Sequence, residues 1–181
     1  MSNILEKLKG GDLRSIGRAE EVVDDVLNDP GTIGELFTGM VSDEPVVRSR
    51  AADAVEKISR VHPEYLAPFK HLLLNDLSCI EQQEVRWHVA QMFPRLKLDG
   101  EERRLVIRTL SMWLKNDASN IVRVNALQAL VDFAHEDEAL QRKVAKHLEL
   151  ALASENPSLA ARARKLKESW PPGQQASESP G

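Results

Sequence analysis

The stretch VVRSRAADAV, residues 46–55, decides how this chain is expected to fold. Its pattern returns as EVRWHVAQMF at 84–93 and as IVRVNALQAL at 121–130, with the shared arginines 38 and 37 residues apart (86 minus 48 and 123 minus 86). Apolar residues follow each arginine three, four and seven positions later, which is the spacing of one face of an α-helix. A repeat of this length is typical of stacked helical hairpins, none of which buries its apolar face alone. The spacing therefore predicts an all-α fold.

The composition supports one helical domain and excludes several classes of partner. The 181 residues are 42% hydrophobic but only 4% aromatic, a mixture that suits close helix packing better than a half-buried sheet. A formal charge of -4 disfavours nonspecific binding to nucleic acid or to anionic lipid. The single cysteine fits a reducing compartment, and no run reaches the roughly 20 apolar residues of a membrane-spanning helix. We expect a cytoplasmic protein that does not associate with membranes.

Apolar spacing, with Gly, Pro and Asp or Asn clusters as punctuation, predicts about nine helices in one domain over residues 1–170. After a frayed start, an N-terminal capping helix is expected from Asp12 to Leu27, within a capping segment of residues 1–31. Four helical hairpins then fill residues 32–170. Their first helices are predicted near 32–42, 63–75, 100–115 and 137–153, and their second helices near 45–60, 80–94, 119–134 and 156–169.

Residues 171–181, PPGQQASESPG, differ in composition from the rest of the chain. They contain no large apolar residue, and two adjacent prolines are incompatible with a helix interior. We expect a disordered C-terminal tail.

The predicted turns carry a recognisable pattern in the segments Asp43–Arg48 and Asp117–Arg123, where an Asp precedes a Val-Arg pair, and Pro68 stands inside a predicted first helix. This pattern resembles the HEAT-repeat family over roughly residues 32–169. The turn before Arg86 is longer than its counterparts, and residues 158–162 match weakly. The resemblance implies a short right-handed α-α superhelix, a HEAT-like solenoid, whose second helices line a concave surface.

The three repeat arginines are expected to be structural. They share a helix face with the apolar residues that follow them, and a charge on that face needs a partner. The acidic residue that ends a first helix is the predicted partner, and a guanidinium can also bridge to turn carbonyls or to the neighbouring repeat. The structural residues predicted in this way are Asp43, Arg48, Asp76, Arg86, Asp117 and Arg123.

Positions two, five and nine after each arginine lie on the opposite helix face and form a predicted ladder of partner-binding residues. In the last repeat, Arg162 is taken as the equivalent arginine. An ordinary solvated helix face is the open alternative, because mixed charges are common on exposed helices. The ladder consists of Arg50, Asp53, Lys57, His88, Gln91, Arg95, Asn125, Gln128, Asp132, Arg164 and Lys167.

The pattern favours a scaffold that binds a protein or peptide and is not an enzyme. The five histidines show neither an HExxH motif nor zinc-ligand spacing with cysteine, and no GxSxG motif occurs, so we expect no metal, cofactor or catalytic residue. A HEAT-like DNA glycosylase is one alternative, in which Trp87 and Trp113 would face a damaged base. Core packing of both tryptophans and the negative charge argue against it. A regulatory or lyase-associated subunit is the other alternative, and the oligomeric state is left open.

Overall fold

The computed structural model describes residues 4–13, 17–135 and 137–170, and these ranges contain helices and turns but no strand. The all-α prediction is confirmed. Residues 14–16 of the predicted capping helix and the predicted tail at 171–181 lie outside the described residues. Ten α-helices occur within the described ranges: α1 Ile4–Leu8, α2 Ala19–Asn28, α3 Ile33–Met40, α4 Pro45–Val61, α5 Lys70–Leu72, α6 Gln83–Met92, α7 Gly100–Asn116, α8 Asn120–Ala134, α9 Glu138–Leu152 and α10 Pro157–Ser169.

The hairpins pair α3 with α4, α7 with α8, and α9 with α10, while α6 pairs with the irregular segment that precedes it. The second helices α4, α6, α8 and α10 contact one another in chain order, so side chains from all four share one layer. A single cluster of buried apolar side chains extends from α1 to α10. Alanines after the repeat arginines, such as Ala51, Ala90 and Ala126, are fully buried and let the helices approach closely.

Local signals explain where several helices begin. Pro45 and Pro157 occupy the first turns of α4 and α10, where a missing N–H costs no hydrogen bond. Asp99 caps α7 in a capping box with Glu102, and the Asn156 side chain caps α10. Outside the region near 63–75, the predicted hairpin helices therefore lie within three residues of the observed ones at each end.

The helix predicted near 63–75 is irregular. Pro63–Phe69 is a 3-10 helix, Lys70–Leu72 is a single α-helical turn, and Leu73–Leu77 is π-helical. Pro68 has no N–H to donate to a carbonyl one turn earlier, which interrupts regular α-helical bonding in this segment. Leu66 is nevertheless fully buried, so the segment still supplies the core of its hairpin.

The N-terminus differs most from the prediction. Within the expected frayed start, Ile4–Leu8 forms α1, with Ile4 and Leu8 buried against the core, while residues 1–3 lie outside the described residues. The capping helix begins at Ala19 instead of Asp12. Gly10 and Gly17 have φ angles of 74° and 55°, a left-handed conformation that glycine adopts without steric cost. These glycines allow the chain to turn between α1 and α2.

Candidate functional site

Arg48 joins the first hairpin turn to the second. Its Nη1 donates a hydrogen bond to the Ser42 carbonyl oxygen at 2.7 Å, and its Nε donates to Oε1 of Gln82 at 2.8 Å. A guanidinium has donors in several directions, so one arginine can hold two turns. Asp43, the predicted partner, is exposed and accepts neither of these bonds, so that pairing was wrongly predicted.

Arg86 joins the second and third hairpins in the same way. Its Nε donates to the Ile80 carbonyl oxygen at 2.9 Å, and its Nη1 pairs with Oδ2 of the buried Asp117 at 2.7 Å. The guanidinium carbon also lies 5.8 Å from the centre of the Trp113 ring, a favourable cation–π arrangement. The predicted partner Asp76 is exposed, and the carboxylate that pairs with Arg86 comes from the following hairpin instead.

Arg123 has fewer partners than the other two repeat arginines. Its Nε donates to the Leu114 carbonyl oxygen at 3.0 Å, and in the described part of the chain its two terminal nitrogens have no hydrogen-bond partner. Asp117, the predicted partner, faces Arg86 and uses its other oxygen to accept from the Ser119 N–H at 2.8 Å. Arg123 therefore lacks the side-chain link to the following hairpin that Arg48 and Arg86 have.

A polar groove of about 280 Å³ lies along the second helices. We call it the second-helix groove. It combines three arginines with two carboxylates and three side-chain amides, in contrast to the acidic chain as a whole. Its lining residues are Glu56, Arg60, Gln91, Arg95, Asn125, Gln128, Ala129, Asp132 and Arg162.

Glu56 is the most deeply buried charge of the groove, with its side chain only 1% exposed. Its Oε1 accepts from Arg95 Nη2 at 2.7 Å, and its Oε2 accepts from Arg60 Nη2 at 2.6 Å. Arg95 also donates to Oγ of Ser59 at 2.6 Å. Burial raises the pKa of Glu56, but the hydrogen bonds and charges of Arg60 and Arg95 outweigh it, so the pKa is lowered. The ionised Glu56 ties α4 to the residues that end the second hairpin.

Amide side chains connect α6, α8 and α10 across the groove. Gln91 Nε2 donates to Oδ1 of Asn125 at 2.9 Å, and Arg162 Nη1 donates to Oε1 of Gln128 at 2.9 Å. Gln128 Nε2 donates in turn to Oδ1 of Asp132 at 2.9 Å. The Gln91 Oε1 atom is buried and has no partner among the described residues, although buried polar atoms are normally bonded.

Five of the eleven predicted ladder residues line this groove: Gln91, Arg95, Asn125, Gln128 and Asp132. Asp53 and Lys57 are not among the lining residues and pair with each other at 2.9 Å. Arg164 and Lys167 are exposed on α10, also outside the lining. The ladder prediction thus identifies the central part of the groove and misses its ends.

Arg50 was wrongly predicted to lie on a free helix face. It is 4% exposed, and its Nη1 donates to the carbonyl oxygens of Leu8 at 2.8 Å and Gly10 at 2.7 Å. A Cβ atom on Gly17 would lie 2.7 Å from the Arg50 Cζ, so the guanidinium occupies space that only a glycine leaves open. Arg50 holds the N-terminal loop against α4.

His88 and Asn125 are also buried, contrary to the prediction of a free face. His88 Nε2 lies 4.0 Å from Oδ1 of Asp53. Burial lowers the pKa of His88, and the negative charges of Asp53 and Glu56 only partly oppose this effect. His88 therefore adds no positive charge near the groove at neutral pH.

In the last repeat, Arg162 was wrongly taken as the residue equivalent to the repeat arginines. Asp117 and Ser154 are 37 residues apart, and each accepts a hydrogen bond from the N–H two residues later, at 2.8 and 3.2 Å. This equivalence aligns Ala160 with Arg123 and makes Arg162 the ladder residue of α10. The turn signal is present in the sequence, but it was not recognised because Ser154 stands where the third hairpin has Asp117.

Glu56 and Arg60 were also missed. At about 100° per residue, the eight positions between Arg48 and Glu56 amount to a rotation of about 80°, which puts Glu56 at the edge of the apolar face. A carboxylate there needs partners, and Arg60 at i+4 is a common helical one. The second partner, Arg95, is 39 residues away in sequence and could not be identified from local spacing.

No family model, curated protein or solved structure matches this chain. The described residues contain no group of three or more His, Cys, Asp or Glu side chains that could hold a metal ion. None of the helices in these ranges combines the length and the apolar character needed to cross a membrane. The molecule is thus defined by its all-helical hairpins and by the second-helix groove.

Proposed function

We propose that this protein is a binding scaffold that holds an extended protein or peptide segment in the second-helix groove. The proposal includes a HEAT-like architecture, a short right-handed solenoid, and a cytoplasmic location. The observation that carries it is the polar lining contributed by four successive hairpins, since a ligand lying along this layer would contact all of them. Repeat scaffolds use such extended surfaces for elongated ligands.

The chemistry of the groove suits a peptide backbone. Gln128 is partly exposed, and its amide makes one bond through its nitrogen and one through its oxygen. Because an amide NH2 group has two protons and an amide oxygen two lone pairs, Gln128 can also bond to backbone C=O and N–H groups. Glu56 balances one of the two positive charges of Arg60 and Arg95, and Asp132 balances that of Arg162, so the lining of the groove keeps one positive charge in excess. We expect a ligand that carries both signs of charge.

The two enzyme-related alternatives receive less support. Trp113 is buried beside Arg86, which leaves it unsuited to stacking on an extruded base. Glu56 and Asp132 offset two of the three arginine charges in the groove, which leaves little of the positive charge that binding to a phosphate backbone requires. No feature of the described residues favours a role in chromophore attachment, and we propose no catalytic residue.

The proposal is tested by affinity capture from the native cytoplasm with two matched double variants. Gln128→Leu with Arg162→Glu alters the groove, whereas Arg164→Glu with Lys167→Glu alters the exposed face of α10. We expect the groove variant to lose a specifically captured protein at least tenfold and the control variant to retain it. Thermal unfolding of both variants verifies that they are folded.

Capture that is unchanged in the groove variant, or equally reduced in the control, would contradict the scaffold proposal. Recovery of nucleic acid alone, lost after nuclease treatment, would favour the glycosylase alternative instead.

A further inference from the structure

The surroundings of Arg86 and Arg123 can be compared position by position, because the two arginines are 37 residues apart in successive hairpins. The same offset relates the residues of α7 and its turn to those of α9 and its turn. Leu110, Trp113, Leu114 and Asp117 on the Arg86 side correspond to His147, Leu150, Ala151 and Ser154 on the Arg123 side.

Most of these exchanges remove volume on the Arg123 side. Trp113 is 2% exposed, whereas its counterpart Leu150 is 70% exposed and leaves the space beside the arginine uncovered. Leu114 and Asp117 are likewise replaced by the smaller Ala151 and Ser154. A cavity of about 250 Å³ results, which we call the Arg123 pocket; it is lined by Leu114, Lys115, Arg123, His147, Leu150, Ala151, Ser154 and Leu159.

Apart from Ser154, the polar side chains of the Arg123 pocket are cationic or have an unpartnered nitrogen. Both terminal nitrogens of Arg123 lack a partner within the described ranges, and the Lys115 side chain adds a second positive charge. His147 is 7% exposed, and its Nε2 is buried without a hydrogen bond there. Ser154 already accepts the Asn156 N–H, and it provides no carboxylate. The pocket thus has donors for an anion and no acidic side chain among its lining residues.

We propose that the Arg123 pocket binds a carboxylate attached to a short aliphatic group. The carboxylate takes the position beside Arg123 that Asp117 Oδ2 takes beside Arg86, where it accepts charge-assisted hydrogen bonds from the guanidinium. His147 lines the same pocket, so its ring lies close to the bound ligand. Leu150 and Leu159 contact the aliphatic group, as expected of a ligand site that combines an apolar wall with a few polar anchors.

Such a group is present both in free short-chain acids and at the C-terminus of a peptide that ends in an apolar residue. The Arg123 pocket shares no lining residue with the second-helix groove, so this inference does not depend on the proposed scaffold function.

The test is a titration of the full chain at constant ionic strength, followed by NMR of the His147 ring, whose resonances are assigned with His147→Gln. The probes are sodium hexanoate and the peptide acetyl-Gly-Gly-Leu with a free carboxylate. Hexan-1-ol and the carboxamide of the same peptide are the matched neutral controls. We expect a saturable shift with at least one carboxylate probe and none with its neutral control. Tighter binding of hexanoate indicates a free acid as ligand, and tighter binding of the peptide indicates a C-terminus.

Ser154→Asp supplies the missing carboxylate from within the protein and should weaken binding of the carboxylate probe at least tenfold. Ser158→Asp adds the same charge at an exposed position of α10 and should change binding less than about twofold, as expected for a screened surface charge. The proposal is overturned if neither carboxylate probe gives a saturable shift, if the neutral controls shift the ring equally, or if folded Ser154→Asp binds like the wild type.

Discussion

Two junctions between neighbouring hairpins differ in how their arginine is used. We call them the second junction, between the second and third hairpins, and the third junction, between the third and fourth hairpins. Arg86 reaches a buried carboxylate of the next hairpin, whereas Arg123, among the described residues, bonds only to a carbonyl of its own hairpin. The repeat arginine is therefore not sufficient to link two hairpins; the following turn must also supply an acceptor. The fourth hairpin supplies Ser154 where the third supplies Asp117, and it is held by fewer polar contacts at this edge.

Asp117→Ser should make the second junction resemble the third and gives the largest expected effect. Arg86 would be left partly buried without its carboxylate, and removing one partner of such a pair costs far more than the pair contributes net. We expect the free energy of unfolding, measured by urea denaturation, to fall by about 3 kcal/mol.

Asp76→Ser is the matched control for that measurement. Asp76 is exposed, so its replacement should change the free energy of unfolding by less than about 0.5 kcal/mol. Equal effects of the two substitutions would mean that the Arg86–Asp117 pair does not link the hairpins.

Hydrogen exchange should reveal the weaker junction in the unmodified protein. Regions with fewer buried contacts open at lower free energy than the core. We expect the slowest amides of α9 and α10 to exchange through openings that cost about 2 kcal/mol less free energy than the openings that expose the amides of α7 and α8. The reason is that the third junction lacks an ion pair equivalent to Arg86–Asp117. Equal opening free energies for the slowest amides from α6 to α10 would show that apolar packing alone makes the two junctions equally stable.

Ser154→Asp should strengthen the third junction. A carboxylate at this position can pair with Arg123, and a charge-assisted hydrogen bond that is partly buried contributes on the order of 1 kcal/mol. Thermal unfolding should therefore shift upward, and the shift should disappear when Arg123 is also changed to Gln. An increase that persists in the Arg123→Gln background would have to arise from another contact.

The hairpins could be predicted from the sequence because apolar spacing and turn residues are local signals. The position of the N-terminal loop could not be predicted in this way. Arg50 bonds to carbonyl oxygens about 40 residues earlier and fits against Gly17, and neither contact produces a periodic pattern in the sequence. Helical geometry was sufficient to predict residues at the centre of the second-helix groove, such as Gln91, Asn125 and Gln128.

The two ends of the groove depended on register and on tertiary pairing. Arg162 was missed because the serine at 154 conceals the turn marker that the aspartate at 117 displays. Glu56 was missed because one of its two arginines comes from the neighbouring hairpin. The first omission is thus an error of register within a local pattern, whereas the second arises from a contact between hairpins.

The third junction should also respond to mild acid. Burial lowers the pKa of His147, and the charges of Lys115 and Lys143 lower it further. The unfolded chain, in which His titrates at about 6.5, therefore binds the proton more readily than the folded chain between that pH and the lower folded pKa. The free energy of unfolding should accordingly fall as the pH is lowered from 7 to 5.

Replacing His147 with leucine, the residue at the equivalent position 110, should make this loss measurably smaller, by an amount that stays below about 1 kcal/mol. The comparison uses urea denaturation of both proteins at pH 7 and pH 5, because His88 also has a lowered pKa and contributes the same acid sensitivity to both. If the two proteins lose equal stability, the folded and unfolded chains bind the His147 proton equally well. In that case the imidazole is not desolvated in the Arg123 pocket, and an unfilled cavity there is readily reached by water.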